Sequence, residues 1–160
     1  MKLTFDVPDD IALGLKKVID ETIAELTKWP QRGDGYYYIR GNGEILRTHY
    51  NDVIFDKERL EFGNMFKTKE EAEFKREQLK VMHELEELVD DDQPWNNSDE
   101  HYAIYYSHFF GCITVEEWRA NQYVPNTYYF KSCESAQAAI SKIGEERLKK
   151  YYFCVPEDKT

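Results

Sequence analysis

Phe66-Lys67-Thr68-Lys69-Glu70-Glu71-Ala72-Glu73-Phe74, continued by KREQLKVMHELEEL to Leu88, is the stretch on which the fold turns. Thr68 followed three residues later by Glu71 is a capping box. The hydroxyl can accept from the Glu71 N–H, and the carboxylate can return to the Thr68 N–H. Glu70 and Glu71 also place negative charge at the positive end of the helix dipole. Phe74, Val81, Met82, Leu85, Leu88 and Val89 then recur on one side at helical spacing, with Ala72 and Leu79 on its border. Lys69, Glu70, Glu73, Arg76, Glu77, Lys80, Glu84 and Glu87 take the other side. The spacing predicts a surface helix buried by one face.

A weaker copy of this opening, Phe130-Lys131-Ser132-Cys133-Glu134-Ser135-Ala136-Gln137, lies 64 residues further on. Upstream, Tyr37-Tyr38-Ile39 aligns with Tyr102-Ala103-Ile104, and Gly43-Glu44-Ile45 loosely with Gly111-Cys112-Ile113. The pattern predicts a Tyr-rich hairpin followed by a capped helix, made twice. The competing explanation is coincidence, because FKT or FKS ahead of a helix is a common cap. The expected fold class is α+β: antiparallel sheets with helices packed on one face, in ββα units that read as duplicated.

Around these anchors the other elements fall into place. Leu3, Phe5 and Val7 alternate with polar residues, which predicts a short strand. Pro8-Asp9-Asp10 opens a helix carrying Ile11, Leu15, Val18, Ile19, Ile23 and Leu26, ended by Trp29-Pro30. Strands are expected at 36–39 and 44–50, joined by Gly41-Asn42-Gly43, since Asn and Gly tolerate positive φ. A third short strand is expected within 51–63. The second unit is expected to have strands at 102–110 and 112–118 and a strand or loop at 123–130. Its helix begins after Ser132 and ends or kinks at Gly144, with helical turns continuing over 145–153. Thus 1–30 forms an N-terminal strand and helix, 31–89 the first unit, 90–100 an acidic linker and 101–160 the second unit, in one compact domain.

Hydrophobic residues make up 41% of the chain, enough to build a core, and its aromatics are mainly Tyr and Phe, which suit sheets. No apolar run approaches the roughly 20 residues of a membrane span. The start, MKLTFDVPDD, turns acidic at once and does not resemble a signal peptide. Cys112, Cys133 and Cys154 are odd in number and form no C-x-x-C, which favours reduced thiols and a cytoplasmic setting. A formal net charge of −10 argues against gripping nucleic acid through its phosphates.

The charge is unevenly spread. Between Lys80 and Arg119 there is no Lys or Arg, and the interval holds Glu84, Glu86, Glu87, Asp90, Asp91, Asp92, Asp99, Glu100, Glu116 and Glu117. These ten acids equal the whole net charge of −10. Six crowd the end of the central helix, where the dipole disfavours negative charge. Such a face can engage a basic partner and speed association with it; it can equally be a solvated linker that aids solubility. The expected partner-binding residues are Glu84, Glu86, Glu87, Asp90, Asp91, Asp92, Asp99 and Glu100, with Trp95 as an aromatic anchor.

The sequence carries no P-loop, G-x-G-x-x-G, H-E-x-x-H or G-x-S-x-G. The histidines His49, His83, His101 and His108 are scattered, and no Cys stands at zinc-finger spacing to them. Asp90-Asp91-Asp92 lacks the alternation and Gly of a calcium loop. Asp52 with Asp56 is a carboxylate pair of a kind any acidic chain offers. Neither an enzyme, a metal site nor a cofactor is expected.

Tyr36-Tyr37-Tyr38-Ile39, the Gly-x-Ile of Gly43 to Ile45, and Gly63-Asn64-Met65-Phe66-Lys67-Thr68-Lys69-Glu70-Glu71-Ala72-Glu73 together resemble a module of small accessory proteins of Gram-positive phages and prophages. The tail, with Ile143-Gly144-Glu145 and Lys149-Lys150-Tyr151-Tyr152-Phe153, is similar to that of such proteins. The likeness spans about 36–153 and carries no catalytic residue. It implies a small early-infection protein that blocks host defences, with anti-CRISPR proteins as a prominent group. The function expected from it is a non-enzymatic inhibitor, in the bacterial cytoplasm, of a host protein with a basic nucleic-acid-binding surface, most concretely a CRISPR–Cas nuclease. It would act as monomer or homodimer, without direct nucleic-acid or membrane contact. Two alternatives stand beside it. One is a protein that sequesters a nucleotide signal between aromatics such as Tyr36, Tyr38, Tyr105 and Tyr128. The other is a phage regulatory or scaffold protein.

Overall fold

The computed structural model describes residues 9–89, 100–119 and 127–156. The strand expected at 3–7, most of the acidic linker and the start of the 123–130 segment lie outside the described residues. The fold is α+β, built from two separate antiparallel sheets and the helices that pack on them.

In the first unit β1 (Gly35–Ile39) pairs with β2 (Ile45–His49), Tyr37 opposite Arg47. The turn forms at the predicted glycines. Gly43 has φ +81°, its N–H donates to the Arg40 carbonyl at 2.8 Å, and the Asn42 side chain accepts the Glu44 N–H at 3.1 Å.

Residues 51–63 hold no strand. They form a helix, α2 (Ile54–Glu61). Val53 at its N-cap offers no side-chain acceptor, so the helix is capped from within. The Asp56 carboxylate accepts the N–H groups of Asn51 at 2.7 Å and Val53 at 3.4 Å. The run Asp56-Lys57-Glu58-Arg59-Leu60-Glu61 is mostly of good helix formers. Val53, Ile54, Phe55, Leu60 and Phe62 stay exposed, so no buried stripe marked the helix in the sequence.

Beyond α2 the chain returns along β1. Asn64 takes the Ile39 N–H on Oδ1 and donates from Nδ2 to the Ile39 carbonyl, both at 2.8 Å. Phe66 and Tyr37 exchange both backbone hydrogen bonds at 2.9 Å. Then α3 (Lys69–Glu86) begins with the predicted box: Thr68 Oγ1 accepts from the Glu71 N–H at 3.2 Å, and Glu71 Oε2 accepts from the N–H groups of Thr68 and Lys67 at 3.3 and 2.8 Å.

The second unit repeats the plan. β3 (Glu100–Ser107) pairs with β4 (Cys112–Arg119), Ile104 opposite Val115. β5 (Tyr129–Phe130) adds to the other edge of β3, with Phe130 opposite Tyr102. Ser132 then caps α4 (Cys133–Ile143) by accepting from the Ser135 N–H at 3.1 Å. Tyr102–Phe130 is therefore the counterpart of Tyr37–Phe66, on the residues the internal alignment matches. Gly144, at φ +96°, ends α4. A short α5 (Glu145–Arg147) follows and runs into one π-helical turn, Leu148–Tyr152.

The main core lies between the larger sheet and the helices. Val81 and Leu85 of α3, Ile104 of β3, Phe130 of β5, Ala136, Ala139 and Ile143 of α4, and Leu148 meet there. The small Ala136 and Ala139 let α4 lie close to the sheet. The other end of α3 belongs to the first unit. Ala72 is buried, and Arg76 Nη1 donates to the Gly43 carbonyl at 3.4 Å. One helix thus packs with both units. The helix predicted at the N-terminus is α1 (Asp9–Thr27), and among its described side chains Ile11, Leu15, Val18, Ile19 and Ile23 are each 52–59% exposed.

Candidate functional site

The expected acidic face divides among three places. Glu84, Glu86 and Glu87 end α3; Glu100 opens β3; Asp90, Asp91, Asp92, Trp95 and Asp99 lie outside the described residues. Glu84 is not a free carboxylate. Arg147 donates to both of its oxygens at 2.8 Å. This fork-to-fork pair ties α3 to α5, with each side chain a little over a third exposed. The hydrogen bonds from Arg147 hold the Glu84 carboxyl below its ordinary range, against the opposing effect of burial. The same bonds raise Arg147.

Glu86 is exposed but accepts from the Tyr128 hydroxyl at 3.2 Å. Tyr128 precedes β5, so this contact joins the end of α3 to the sheet edge. Burial, then the charge and hydrogen bond of Glu86, push the Tyr128 phenol up to about 12. His83 stands 3.9 Å from the other Glu86 oxygen. Glu87 caps α3 and is exposed, with no basic side chain within ion-pair reach among the described residues.

On the sheet the strands add further carboxylates. Glu117 stands across from Tyr102 and Glu116 across from Ala103, both exposed. Glu100 and Glu117 flank the Tyr102 phenol, which is raised by burial first and then by their charge. Alternation along β3 and β4 puts Glu100, Tyr102 and Glu117 on the sheet face that carries the helices, and Glu116 on the other. The described acidic surface therefore comprises the exposed Glu86 and Glu87 at the end of α3 and Glu100, Glu116 and Glu117 at one end of the β3–β4 ribbon. Residues 90–99 connect the two.

The aromatic residues considered for base stacking are not brought together. Tyr36 is fully buried and donates to Asp56 Oδ1 at 2.5 Å. The face of Tyr38 is taken by the Arg59 guanidinium, 3.7 Å from the ring centroid. Both belong to the first sheet, whereas Tyr105 and Tyr128 belong to the second unit. Asp52 and Asp56 do not work as a pair either. Asp56 is 2% exposed and structural, while Asp52 pairs with Lys57 at 3.2 Å on the surface.

A second exposed feature was hidden by the strand expected over 102–110. β3 stops at Ser107, so Phe109 and Phe110 occupy the hairpin tip, 89% and 75% exposed. Their rings meet edge to face at 4.8 Å. The tip is fixed by the Gly111 N–H donating to the Ser107 carbonyl at 2.8 Å and the Phe110 N–H donating to Ser107 Oγ at 3.3 Å. The sequence signal for it was the unbroken His108-Phe109-Phe110-Gly111, in which Gly111 (φ +65°) marks the turn and the two Phe precede it.

Among the described residues, no three His, Cys, Asp or Glu side chains are grouped to hold a metal ion. Nor is any described helix long and apolar enough to cross a membrane. Compared with protein-family models, curated proteins and solved structures, the chain matches none.

Proposed function

We propose that this protein acts by protein–protein contact, as a non-enzymatic, phage-encoded inhibitor of a host defence protein that handles nucleic acid. The observation that carries the reading is the set of exposed carboxylates at the end of α3 and on β3–β4, drawn from a stretch of sequence that holds ten acids and no Lys or Arg. A surface that binds nucleic acid is dense in Lys and Arg. Carboxylates held on a packed helix end and a paired ribbon can compete with phosphates for those side chains and steer the encounter. The resemblance to phage accessory proteins supplies the class of partner, most concretely a CRISPR–Cas nuclease in the bacterial cytoplasm. Glu86, Glu87 and Glu100 are the contacts among the described residues, and Asp90, Asp91, Asp92, Asp99 and Trp95, outside the described residues, are proposed with them from the sequence. Glu84 contributes indirectly, by fixing the end of α3 against Arg147.

The test is a DNA-cleavage assay with purified Cas nuclease and the wild-type chain or its Glu86→Lys/Glu87→Lys/Glu100→Lys variant. Inhibition by the wild type that weakens at least tenfold in the variant, with unchanged melting temperature, supports the reading. Inhibition retained in full by the variant removes the acidic face, and no inhibition by either removes this partner.

A further inference from the structure

A cavity of about 260 Å³ lies against β3 where its pairing with β5 ends at Ala103. Four of its walls are aromatic: Tyr105, Trp118, Tyr152 and Phe153. The last two arrive from the π-helical turn, their rings edge to face at 4.7 Å. Trp118 stands opposite His101, so alternation puts it on the same face of the sheet as Ala103 and Tyr105. Between His101 and Tyr105 on that face, Ala103 brings only a methyl group, which leaves room among the larger side chains. Thr127 adds a hydroxyl to the lining.

These walls specify a ligand. Trp118 Nε1 is buried and has no hydrogen-bond partner among the described residues. A buried indole N–H ordinarily finds an acceptor, and leaving it without one costs free energy. No charged side chain of the described residues lines the cavity. The charge nearest along the ladder is negative: Glu116, opposite Ala103 on the same face. Burial raises the Tyr152 phenol, so that wall stays neutral. An ionised ligand would lose its hydration here with nothing to pair it, and a phosphate would be repelled by Glu116. We propose that the cavity binds an uncharged planar heterocycle of one or two rings, stacked among the aromatic walls, whose carbonyl or ring nitrogen accepts the Trp118 N–H. A free purine or pyrimidine base has this chemistry, and its flat face stacks on aromatic side chains. A nucleotide shares the base but brings the phosphate that the cavity disfavours. The aromatic set differs from the one drawn from the sequence and shares only Tyr105 with it. The proposal does not depend on the acidic face.

Proton–nitrogen correlation NMR of the isotope-labelled full chain, titrated with hypoxanthine, uracil and quinoline, tests it. The chain has three Trp, and the indole signal missing from Trp118→Phe identifies that of Trp118. Hypoxanthine should bind saturably and move this signal downfield, as an accepted N–H does. Trp118→Phe, which keeps a ring and removes the donor, should weaken binding at least tenfold. Tyr105→Ala should do the same while leaving the circular dichroism spectrum and melting temperature unchanged, because Tyr105 is 41% exposed. Naphthalene has the shape of quinoline without its acceptor and should bind at least tenfold more weakly. Inosine monophosphate should bind more weakly than hypoxanthine. No saturable binding of hypoxanthine, uracil or quinoline overturns the proposal. So does binding that leaves the Trp118 signal in place or survives both substitutions. Naphthalene binding as tightly as quinoline overturns the role of the N–H. Inosine monophosphate binding more tightly than hypoxanthine makes the occupant a nucleotide and overturns the uncharged class.

Discussion

Asp56 shows how one side chain can decide a local fold. Its carboxylate takes the N–H groups of Asn51 and Val53, receives the Tyr36 hydroxyl and sits 3.9 Å from Arg59. Arg59 Nη1 also donates to the Tyr36 hydroxyl at 2.7 Å. Burial alone would raise the Asp56 pKa, but the hydrogen bonds from Tyr36, Asn51 and Val53 and the charge of Arg59 outweigh it, and the carboxyl lies below its ordinary value. A depressed carboxyl contributes stability that is complete above its unfolded pKa of about 3.9 and is lost as pH falls through the folded one. Asp56→Asn should therefore cost about 1–3 kcal/mol at pH 7, the penalty for buried donors left with a poorer acceptor. It should also flatten the acid limb of the stability curve. Urea denaturation of both proteins at pH 7 and pH 3 measures this. An equal loss at the two pH values would mean that the carboxylate charge contributes nothing. Little of this was legible in the sequence, where Asp56 is one acid among 31 Asp and Glu residues and its side-chain partners Tyr36 and Arg59 lie 20 residues upstream and 3 downstream.

Elements with a local signal were legible, and those specified by tertiary contacts were not. The helices after Thr68 and Ser132 begin where their caps stand, because a capping box is written within four residues. The two boxes differ in their return half. Glu71 brings a charged carboxylate to two backbone N–H groups, whereas Ser135 returns a neutral hydroxyl to Ser132 at 3.3 Å. Charge-assisted bonds are the stronger kind. Thr68→Ala and Ser132→Ala should each cost about 1 kcal/mol. Glu71→Ala should approach that value, while Ser135→Ala should cost a few tenths of a kcal/mol at most, as read by thermal unfolding followed by circular dichroism. Equal costs for the last two would show that the carboxylate adds nothing over the hydroxyl. By contrast α2 escaped notice because its apolar residues face outward and its cap lies inside the helix. The hairpin tip escaped because Phe109 and Phe110 have strand propensity, and only pairing of Ser107 with Cys112 shows that β3 ends before them.

For the whole molecule the issue is how two similar units share one core. The internal alignment matched Phe66 with Phe130 as parts of a cap pattern, and the structure adds that each pairs back to the first strand of its unit. It could not find that the units are unequal. The second unit's core is completed by Val81 and Leu85, which belong to the helix that ends the first. Both side chains are fully buried, and Leu88 and Val89 pack beside them. The Glu84–Arg147 pair and the Glu86–Tyr128 contact lie on the same seam. Losing two aliphatic anchors of a small core exposes Ile104, Phe130 and Leu148 at once, and removing even one large buried side chain costs about 2–5 kcal/mol. That is a large share of the 5–15 kcal/mol that stabilises a typical domain. A fragment of residues 100–160 should therefore show no cooperative thermal transition, although it contains a whole hairpin-and-helix unit. A fragment of 66–160, which restores α3, should unfold cooperatively. Cooperative unfolding of the shorter fragment would make the repeat a true domain boundary and α3 a mere neighbour. The expected result makes α3 the element that both units share, with Val81 and Leu85 in the core of the second unit and the Glu84–Arg147 pair fixing its end.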